Sequence, residues 1–307
     1  MLISFSKTWL KSLARNLRDG GIKSSAEFLM EGRIFACLKD FVTKFPLEPQ
    51  EVHVLAGRER LPMAFWMMGS LVAARKSVPR FVLHDDGTMG AREANFLKSI
   101  FPFSRLITVV DADAVVLPTL KGFPLLADYR KKHIFGKRLT DFSLLCKDEY
   151  LISVDTDILF FSNPEELFRS GDSGNGKAIF MKDVADTSLI KAADFEGRYG
   201  VTLVSPVNAG LFSIPQRALE FSEMEKVLRD FRLLEVPRGE WYVEQTVLAA
   251  LASLNGGVEL LPTSYELTLN SPMRANAVAR HYVGAVRHLF YSEGIPKVRQ
   301  GFKRPNL

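Results

Sequence analysis

The feature that most constrains the fold is a series of short apolar runs that alternate with helical segments and end at polar residues. The sequence predicts strands at residues 53–56, 80–83, 106–110 and 150–154. It predicts helices at residues 62–74 and 137–145. Strands that alternate with helices predict a mainly parallel sheet, covered by helices on both faces, with ligands at the carboxyl ends of the strands. The expected fold class is therefore α/β, with a Rossmann-like sheet.

The second half of the chain is less regular but contains both kinds of element. Two strands and a helix are predicted there, at residues 178–181, 210–214 and 244–254. Near the start, a helix is expected at 27–45, before a break marked by Pro46 and Pro49. Because no repeat or linker follows this break, we predict an N-terminal helical extension, residues 1–50, and a single domain, residues 51–307.

Composition and charge define a class of protein without selecting a ligand. Apolar residues make up 47% of the chain, which is enough for a large core and excludes a disordered protein. The net charge of +5 favours anionic ligands in general, and no recognition motif indicates nucleic acid. The two cysteines, Cys37 and Cys146, give neither a disulfide framework nor zinc-type spacing. With no long apolar segment and no secretory signal, the sequence predicts a cytoplasmic protein.

A basic amphipathic helix is predicted over residues 5–17. Its apolar face consists of Trp9, Leu10, Leu13 and Leu17. Its basic face consists of Lys7, Lys11, Arg15 and Arg18. Two interpretations are open. The helix either binds an anionic membrane surface, with about 1 kcal/mol from each basic residue, or packs on the domain with its charges in water. The first interpretation would make the protein membrane-peripheral.

The most informative segment is LISVDTDILFF, which begins in the predicted strand at 150–154. It places Asp155 and Asp157 at the end of an apolar run, one residue apart. Alternate residues of an extended chain point the same way, so the two carboxylates can converge on one divalent cation. Oxygen ligands suit Mn²⁺ or Mg²⁺. The alternative is that both aspartates cap a turn before a helix that starts near 162–164.

A second triplet, Asp111-Ala112-Asp113, also follows an apolar run and competes for the same role. The longer pattern favours the later triplet. The segment DTDILFFSNPEELF, residues 155–168, resembles the metal-binding segment of glycosyltransferases with the GT-A fold, in particular glycosyltransferase family 8 and its relatives. Three further motifs follow in the family's order within residues 51–298: VNAGLF at 207–212, EQ at 244–245 and HYVGAVR at 281–287.

The resemblance implies a single GT-A domain and a hexosyltransferase activity. The donor would be a nucleotide-diphosphate sugar, with a UDP-sugar favoured. The acceptor would be a saccharide or a lipid-linked molecule, and the enzyme would act in cell-surface glycan synthesis. A cation, Mn²⁺ or Mg²⁺, would stabilise the negative charge that develops on the leaving diphosphate.

The resemblance also implies three sets of site residues. The metal ligands would be Asp155, Asp157 and His281. Further contacts with the donor would come from Thr156, Gly210, Gly284 and Arg287. Of these, Gly284 and Arg287 would hold the diphosphate. The catalytic residues would be Asn208, Glu244 and Gln245. Asn208 would lie on the sugar side of the site, and Glu244 and Gln245 would lie beside the acceptor and the anomeric carbon.

Five other residues are candidates for contact with the donor. Lys137 and Arg138 precede the Asp155 strand by about the interval at which the family places a basic residue that touches the donor sugar, although a basic helix end explains them equally well. Asp85 and Asp86 follow the second strand and could contact the nucleoside. Gly57 ends the first strand, where a nucleobase could approach closely. The residues at both strand ends also suit ordinary turns.

Two departures from the family pattern bear on function. Residue 287 is an arginine followed by His288 where the family usually has lysine and proline, and Glu244 replaces the usual aspartate. Arginine can still bind a diphosphate bidentately. His288 competes with His281 as a metal ligand. The alternatives to an active enzyme of this kind are a degenerate, non-catalytic protein of the same fold and a haloacid-dehalogenase phosphatase, which requires Thr or Val where Leu159 stands.

Overall fold

The structure, a computed structural model, describes residues 11, 13–19, 22, 38–169, 176–237 and 239–302. The helices predicted near the start of the chain therefore lie partly outside the described residues. Within them, residues 13–19 and 38–42 are helical. Leu13, Leu38 and Val42 pack against the main core. The proposed division at residue 50 stays a prediction.

In the part of the chain that the structure describes, ten strands form two sheets. They are β1 (Leu47–Ala56), β2 (Val78–Asp85), β3 (Arg105–Ile107), β4 (Tyr150–Val154), β5 (Ile158–Phe160), β6 (Ala178–Lys182), β7 (Val207–Pro215), β8 (Val258–Leu260), β9 (Tyr265–Glu266) and β10 (Ala279–His281). The larger sheet has the order β3-β2-β1-β4-β7-β6-β8, and the smaller has the order β5-β10-β9. In the larger sheet only β7 runs antiparallel to its neighbours. The mainly parallel sheet expected from the sequence is confirmed.

Helices cover both faces of the larger sheet. They are α1 (Leu61–Arg75), α2 (Ala91–Ile100), α3 (Val109–Leu120), α4 (Pro124–Lys132), α5 (Ile134–Lys137), α6 (Ser143–Leu145), α7 (Glu165–Phe168), α8 (Ala192–Tyr199), α9 (Phe221–Asp230), α10 (Glu240–Leu254), α11 (Arg287–Leu289) and α12 (Ile295–Phe302). Helical turns at Arg138–Phe142 and Phe290–Gly294 join α5 to α6 and α11 to α12. No helix in the described part of the chain is both long and apolar enough to cross a bilayer.

The core has a layer on each face of the sheet because successive side chains of a strand point to opposite faces. Val54 and Val154 pack on one face with α1, whose residues are apolar on all sides. Leu151 and Phe212 pack on the other face with α10. Burial on both faces explains why β4 and β7 are continuous apolar runs rather than alternating ones.

One predicted strand is wrong at its end. The run at 106–110 was expected to be a single strand, but β3 ends at Ile107 and α3 begins at Val109. Thr108 is the reason. Its hydroxyl accepts the backbone N–H of Asp111 at 3.2 Å, while its own N–H donates to the Asp111 carboxylate at 3.2 Å. This capping box starts a helix despite the β-branched sequence.

The capping box also removes the rival metal motif. Asp111 and Asp113 lie in a helix, where residues two apart point in different directions. Asp111 caps α3, and Asp113 pairs with Arg130 at 2.7 Å. The earlier triplet is therefore not a strand-end pair of carboxylates.

Candidate active site

The site lies where β4 ends beside the beginning of β7. Because these strands are antiparallel, the first residues of β7 flank the carboxyl end of β4. The Asp155 N–H donates to the Gly210 carbonyl at 2.7 Å, which continues the pairing just past Val154. The sequence motif around Asn208 is thereby placed next to the Asp155-Asp157 segment.

The smaller sheet brings in the third member of the site. His281 is paired with Ile158 across β10 and β5, and the Tyr282 N–H donates to the Asp157 carbonyl at 2.8 Å. These backbone contacts hold the imidazole of His281 beside the carboxylate of Asp157.

The three predicted metal ligands converge. Nε2 of His281 lies 3.1 Å from Oδ1 of Asp157 and 3.7 Å from Oδ2 of Asp155. One ligand atom from each residue lies within 4.8 Å of the other two. The Asp155 side chain is 30% exposed, and those of Asp157 and His281 are 9% and 5% exposed, so the cluster opens to solvent on the Asp155 side.

Two arginines occupy the outer oxygens of this cluster. Nη2 and Nε of Arg287 donate to Oδ2 of Asp157 at 2.7 and 3.1 Å. Nη1 of Arg138 lies 2.9 Å from Oδ1 of Asp155. Each aspartate thus gives one oxygen to an arginine and turns the other towards His281. Two carboxylate oxygens and an imidazole nitrogen form a donor set that fits a divalent cation.

The electrostatics of the cluster favour positive charge at Nε2 of His281. Burial raises the pKa of Asp155, and the neighbouring Asp157 charge adds to this effect. For Asp157, burial is outweighed by His281 and Arg287, which lower its pKa. For His281, burial is outweighed by the Asp157 and Asp155 carboxylates, which raise its pKa. The same field would attract a metal cation.

Arg138 links the cluster to the predicted catalytic residues. Its guanidinium is buried, and Nη2 donates to the Ser153 hydroxyl at 3.2 Å and to the Ala209 carbonyl. Nε lies 3.1 Å from Oε1 of Glu244 on α10. Burial raises the pKa of Glu244 to about 8, with Arg138 opposing the shift and Asp155 adding to it. Burial thus favours the protonated form of Glu244.

Gln245 links α10 to β7. Its Oε1 accepts the Ala209 N–H at 3.1 Å, and its Nε2 donates to the Thr187 hydroxyl at 2.7 Å. Arg138 therefore links Glu244 to the Asp155-Asp157-His281 cluster, and β7 links Gln245 to it.

Four predicted donor contacts form a second group at the ends of β1 and β2. A Cβ built on Gly57 would lie 2.0 Å from the Asp86 carboxylate, so the absence of a side chain lets Asp86 lie over the end of β1. Nζ of Lys137 donates to the Asp86 carbonyl at 3.3 Å. Oδ1 of Asp85 accepts three backbone N–H groups of the following turn, at 2.9 to 3.1 Å. Asp85 thus shapes the turn, and donor contact at this group stays a prediction.

The remaining predicted residues lie around the cluster. Thr156 is buried in the turn between its two aspartates. Gly284 begins the helical turn Gly284–Val286, directly before Arg287. The imidazole within the acidic cluster is that of His281, and His288 is not a member of it.

Two residues near the site were missed by the sequence analysis. Trp241 is 61% exposed and lies one turn before Glu244 on α10, with its ring edge-on to His133 and Phe135 at 4.8 and 5.5 Å. Arg60 directly precedes α1, and burial together with the charge of Arg287 lowers its pKa. The sequence pattern that could have identified Trp241 is an aromatic pair next to the Glu-Gln motif. No local sequence pattern identifies Arg60.

A second group of potential ligand atoms lies inside the larger sheet. It comprises Glu51, His53 and Cys146, all buried. Nδ1 of His53 lies 3.0 Å from Nε2 of His84, its Nε2 lies 3.3 Å from Oε2 of Glu51, and that oxygen also accepts the Lys147 N–H at 2.9 Å. These contacts form a hydrogen-bonded network that joins β1 to β2 and to the segment before β4.

No family model matches the sequence, and no curated protein matches it. Solved structures do match. The galactosyltransferase LgtC, in complex with donor and acceptor sugar analogues, is 17% identical with a TM-score of 0.54, over 84% of this chain and 97% of that chain. An active-site mutant of LgtC is 17% identical with a TM-score of 0.50, over 76% of this chain and 88% of that chain.

A third match supports the same fold. The bifunctional glycosyltransferase WbbM in its apo form is 12% identical with a TM-score of 0.50, over 83% of this chain and 50% of that chain. These structural likenesses show that the chain has the GT-A glycosyltransferase fold, as expected from the sequence. Membership of glycosyltransferase family 8 stays a prediction.

Proposed function

We propose that the protein is a metal-dependent glycosyltransferase. It transfers a hexose from a nucleotide-diphosphate sugar, with a UDP-sugar favoured, to a saccharide or lipid-linked acceptor, and it acts in the cytoplasm in cell-surface glycan synthesis. The observation that carries the proposal is the convergence of Asp155, Asp157 and His281 at the carboxyl edge of a GT-A sheet. LgtC, whose fold is similar, was crystallised with analogues of both a donor and an acceptor sugar.

The chemistry requires help for the leaving group, because breaking the anomeric bond leaves negative charge on the diphosphate. Asp155, Asp157 and His281 would hold Mn²⁺ or Mg²⁺, which stabilises that charge as a Lewis acid when bound. Arg287 approaches the same place, and its guanidinium is partly exposed. A planar guanidinium can bind two phosphate oxygens at once.

The sugar side of the site would be formed by β7 and α10. A protonated Glu244 suits hydrogen-bond donation to a sugar hydroxyl better than nucleophilic attack, since nucleophilic attack requires the carboxylate. Gln245 is held against β7. The exposed ring of Trp241, one turn away, offers an apolar surface for an acceptor sugar.

The described part of the N-terminal helix packs on the domain, as the second interpretation expects, and we propose that its exposed basic residues also contact an anionic membrane surface. Lys11 and Arg15 are exposed, while Leu13 packs on the core and Asn16 is buried, so the helix is attached by one face and presents its charges to solvent. A Lys11→Glu/Arg15→Glu variant should lose sedimentation with anionic liposomes. Equal sedimentation of parent and variant, or of neither, would rule the contact out.

Release of nucleoside diphosphate from a panel of nucleotide-diphosphate hexoses, with Mn²⁺ and a mixture of saccharide acceptors, tests the activity. We expect one donor to be consumed by the parent and not by Asp157→Asn. Asp113→Asn is the matched control because it alters the earlier triplet, which lies on α3 outside the site. Equal turnover by the parent and Asp157→Asn would contradict the proposal.

A further inference from the structure

The imidazole of His281 has a defined partner on each nitrogen. Nε2 faces the two aspartates, and Nδ1 lies 3.0 Å from Oδ1 of Asn208. An imidazole that binds a metal presents the electron pair of one nitrogen and usually donates the proton of the other to an oxygen nearby. The nitrogen that carries the proton therefore depends on what Asn208 presents.

The amide of Asn208 is oriented by two independent contacts. Oδ1 accepts the backbone N–H of Gly210 at 2.9 Å, and Nδ2 donates to Oδ2 of Asp183 at 2.8 Å. A reversed amide would set N–H against the N–H of Gly210 and oxygen against the Asp183 carboxylate, and both contacts would be repulsive. The oxygen of Asn208 therefore faces His281, and only a protonated Nδ1 can pair with it.

Gly210 supplies the space for this contact. A Cβ at Gly210 would lie 2.3 Å from Cε1 and 2.8 Å from Nδ1 of His281, and 2.8 Å from Oδ1 of Asn208. The Asn-Ala-Gly segment thus forms a seat for the imidazole, in which the asparagine sets the hydrogen bond and the glycine admits the ring.

We propose that Asn208 is a positioning residue for the metal site, which keeps the proton of His281 on Nδ1 and so directs the electron pair of Nε2 at the cation. Asp183 acts behind it by holding the amide in one orientation. This inference rests on the proposed function, and it assigns Asn208 to the cation rather than to the sugar. The side chain is buried, and both ends of its amide are engaged by the protein.

Binding of Mn²⁺ alone tests the inference without sugar or turnover. Free Mn²⁺ is measured by electron paramagnetic resonance for the parent and three variants. Asn208→Ala removes the oxygen. The exchange Asn208→Asp/Asp183→Asn keeps an oxygen towards His281 and returns an amide donor at position 183. Asn255→Ala is the matched control, because it removes a side-chain amide that donates to the Leu251 carbonyl at the end of α10, away from His281.

We expect Asn208→Ala to weaken Mn²⁺ binding about 10- to 100-fold, the range for loss of a group that orients a metal ligand. The exchange should restore most of the affinity, and Asn255→Ala should leave it unchanged. Spin-echo spectra of bound Mn²⁺ provide a second measure. Modulation from the imidazole nitrogen should be present in the parent and the exchange variant, and absent from Asn208→Ala at saturating Mn²⁺.

Three results would overturn the inference in distinguishable ways. If the parent binds Mn²⁺ and Asn208→Ala binds it equally tightly with the same nitrogen modulation, Asn208 does not position His281, and the proposed function stands. If the parent does not bind Mn²⁺, the inference fails together with the metal-dependent part of the proposed function. A folded exchange variant that stays as weak as Asn208→Ala would show that the hydrogen bond to Nδ1 is not the cause.

Discussion

Nε2 of His281 lies 3.1 Å from Oδ1 of Asp157, although 124 residues separate the two in the chain. The contact is produced by the smaller sheet, in which β10 pairs with β5 directly after the Asp155-Asp157 turn. The candidate metal site therefore depends on strand pairing between distant segments and on the close approach of β7.

Gly210→Ala should weaken the metal site without disturbing the strand. A methyl group at this position would overlap His281, whose Cε1 would lie 2.3 Å away. Since the imidazole must move, we expect Mn²⁺ affinity to fall at least about tenfold. Isothermal titration with Mn²⁺ measures the change. Gly197→Ala on α8 is the control, because a Cβ there has no atom within 4 Å. Equal losses in both variants would contradict the role of Gly210.

Arg287→Gln should weaken binding of the diphosphate. Hydrogen bonds to charged groups contribute about 1.5 to 3 kcal/mol each, so loss of the guanidinium should raise the Kd for UDP with Mn²⁺ about 10- to 100-fold. Arg287→Lys should fall between the parent and Arg287→Gln, because lysine keeps the charge without the two-pronged geometry. Arg198→Gln, on an exposed arginine that pairs with Asp230, is the control. An unchanged Kd in Arg287→Gln would exclude contact with the diphosphate.

The stability of the protein should depend on pH through Glu244. Its pKa is about 8 in the folded protein, above the ordinary value of 4.5 that applies in the unfolded chain. Between these values the folded protein holds a proton that the unfolded chain has lost. This carboxyl therefore makes the free energy of unfolding fall as the pH rises from about 5 to 8, and has no further effect above that range.

Glu244→Gln removes this contribution. Urea denaturation at about pH 5 and pH 8.5 gives the free energy of unfolding of both proteins. The parent should lose more stability than the variant between the two pH values, since the groups common to both cancel in the comparison. Equal losses would show that Glu244 is ionised in the folded protein at neutral pH.

Much of the fold was predictable because its signals are local. Apolar runs identified β4 and β7, and the alternation of strands and helices indicated a mainly parallel sheet. The error at residues 106–110 is also local in origin. Val109 and Val110 suit a strand, yet a single hydrogen-bonded exchange between Thr108 and Asp111 starts a helix there.

The parts of the site that could not be predicted depend on the pairing of distant segments. The sequence analysis named Asn208, but its link to His281 and Asp183 depends on which edge of β7 meets β4 and β6. The burial of Arg138 between the side chains of Asp155 and Glu244 likewise depends on how α10 packs on the sheet. Neither relationship has a signal in residue spacing.

Trp241→Ala should affect the acceptor and not the donor. The ring is exposed one turn from Glu244, and we expect a sugar stacked on it to contribute about as much as a contact between two aromatic rings, about 0.5 to 1.5 kcal/mol. The KM for the acceptor should rise about 2- to 10-fold, while donor hydrolysis without acceptor stays unchanged. Phe103→Ala is the control. Phe103 is also exposed, but it precedes the amino end of β3, whereas the site lies at the carboxyl edge of the sheet. The same change in both variants would exclude an acceptor role for Trp241.

The central claim is that the Asp155-Asp157-His281 cluster binds a nucleotide-diphosphate sugar through a cation. Thermal unfolding of the parent and of Asp155→Ala/Asp157→Ala, with a panel of nucleotide-diphosphate sugars and with or without Mn²⁺, tests it most directly. A ligand at 100 times its Kd stabilises a protein by about 2.7 kcal/mol, which is a readily measured shift. We predict that one donor raises the unfolding temperature of the parent only when Mn²⁺ is present, and does not raise that of the variant. No stabilisation by any donor, or equal stabilisation of parent and variant, would contradict the claim and favour a degenerate protein of the same fold.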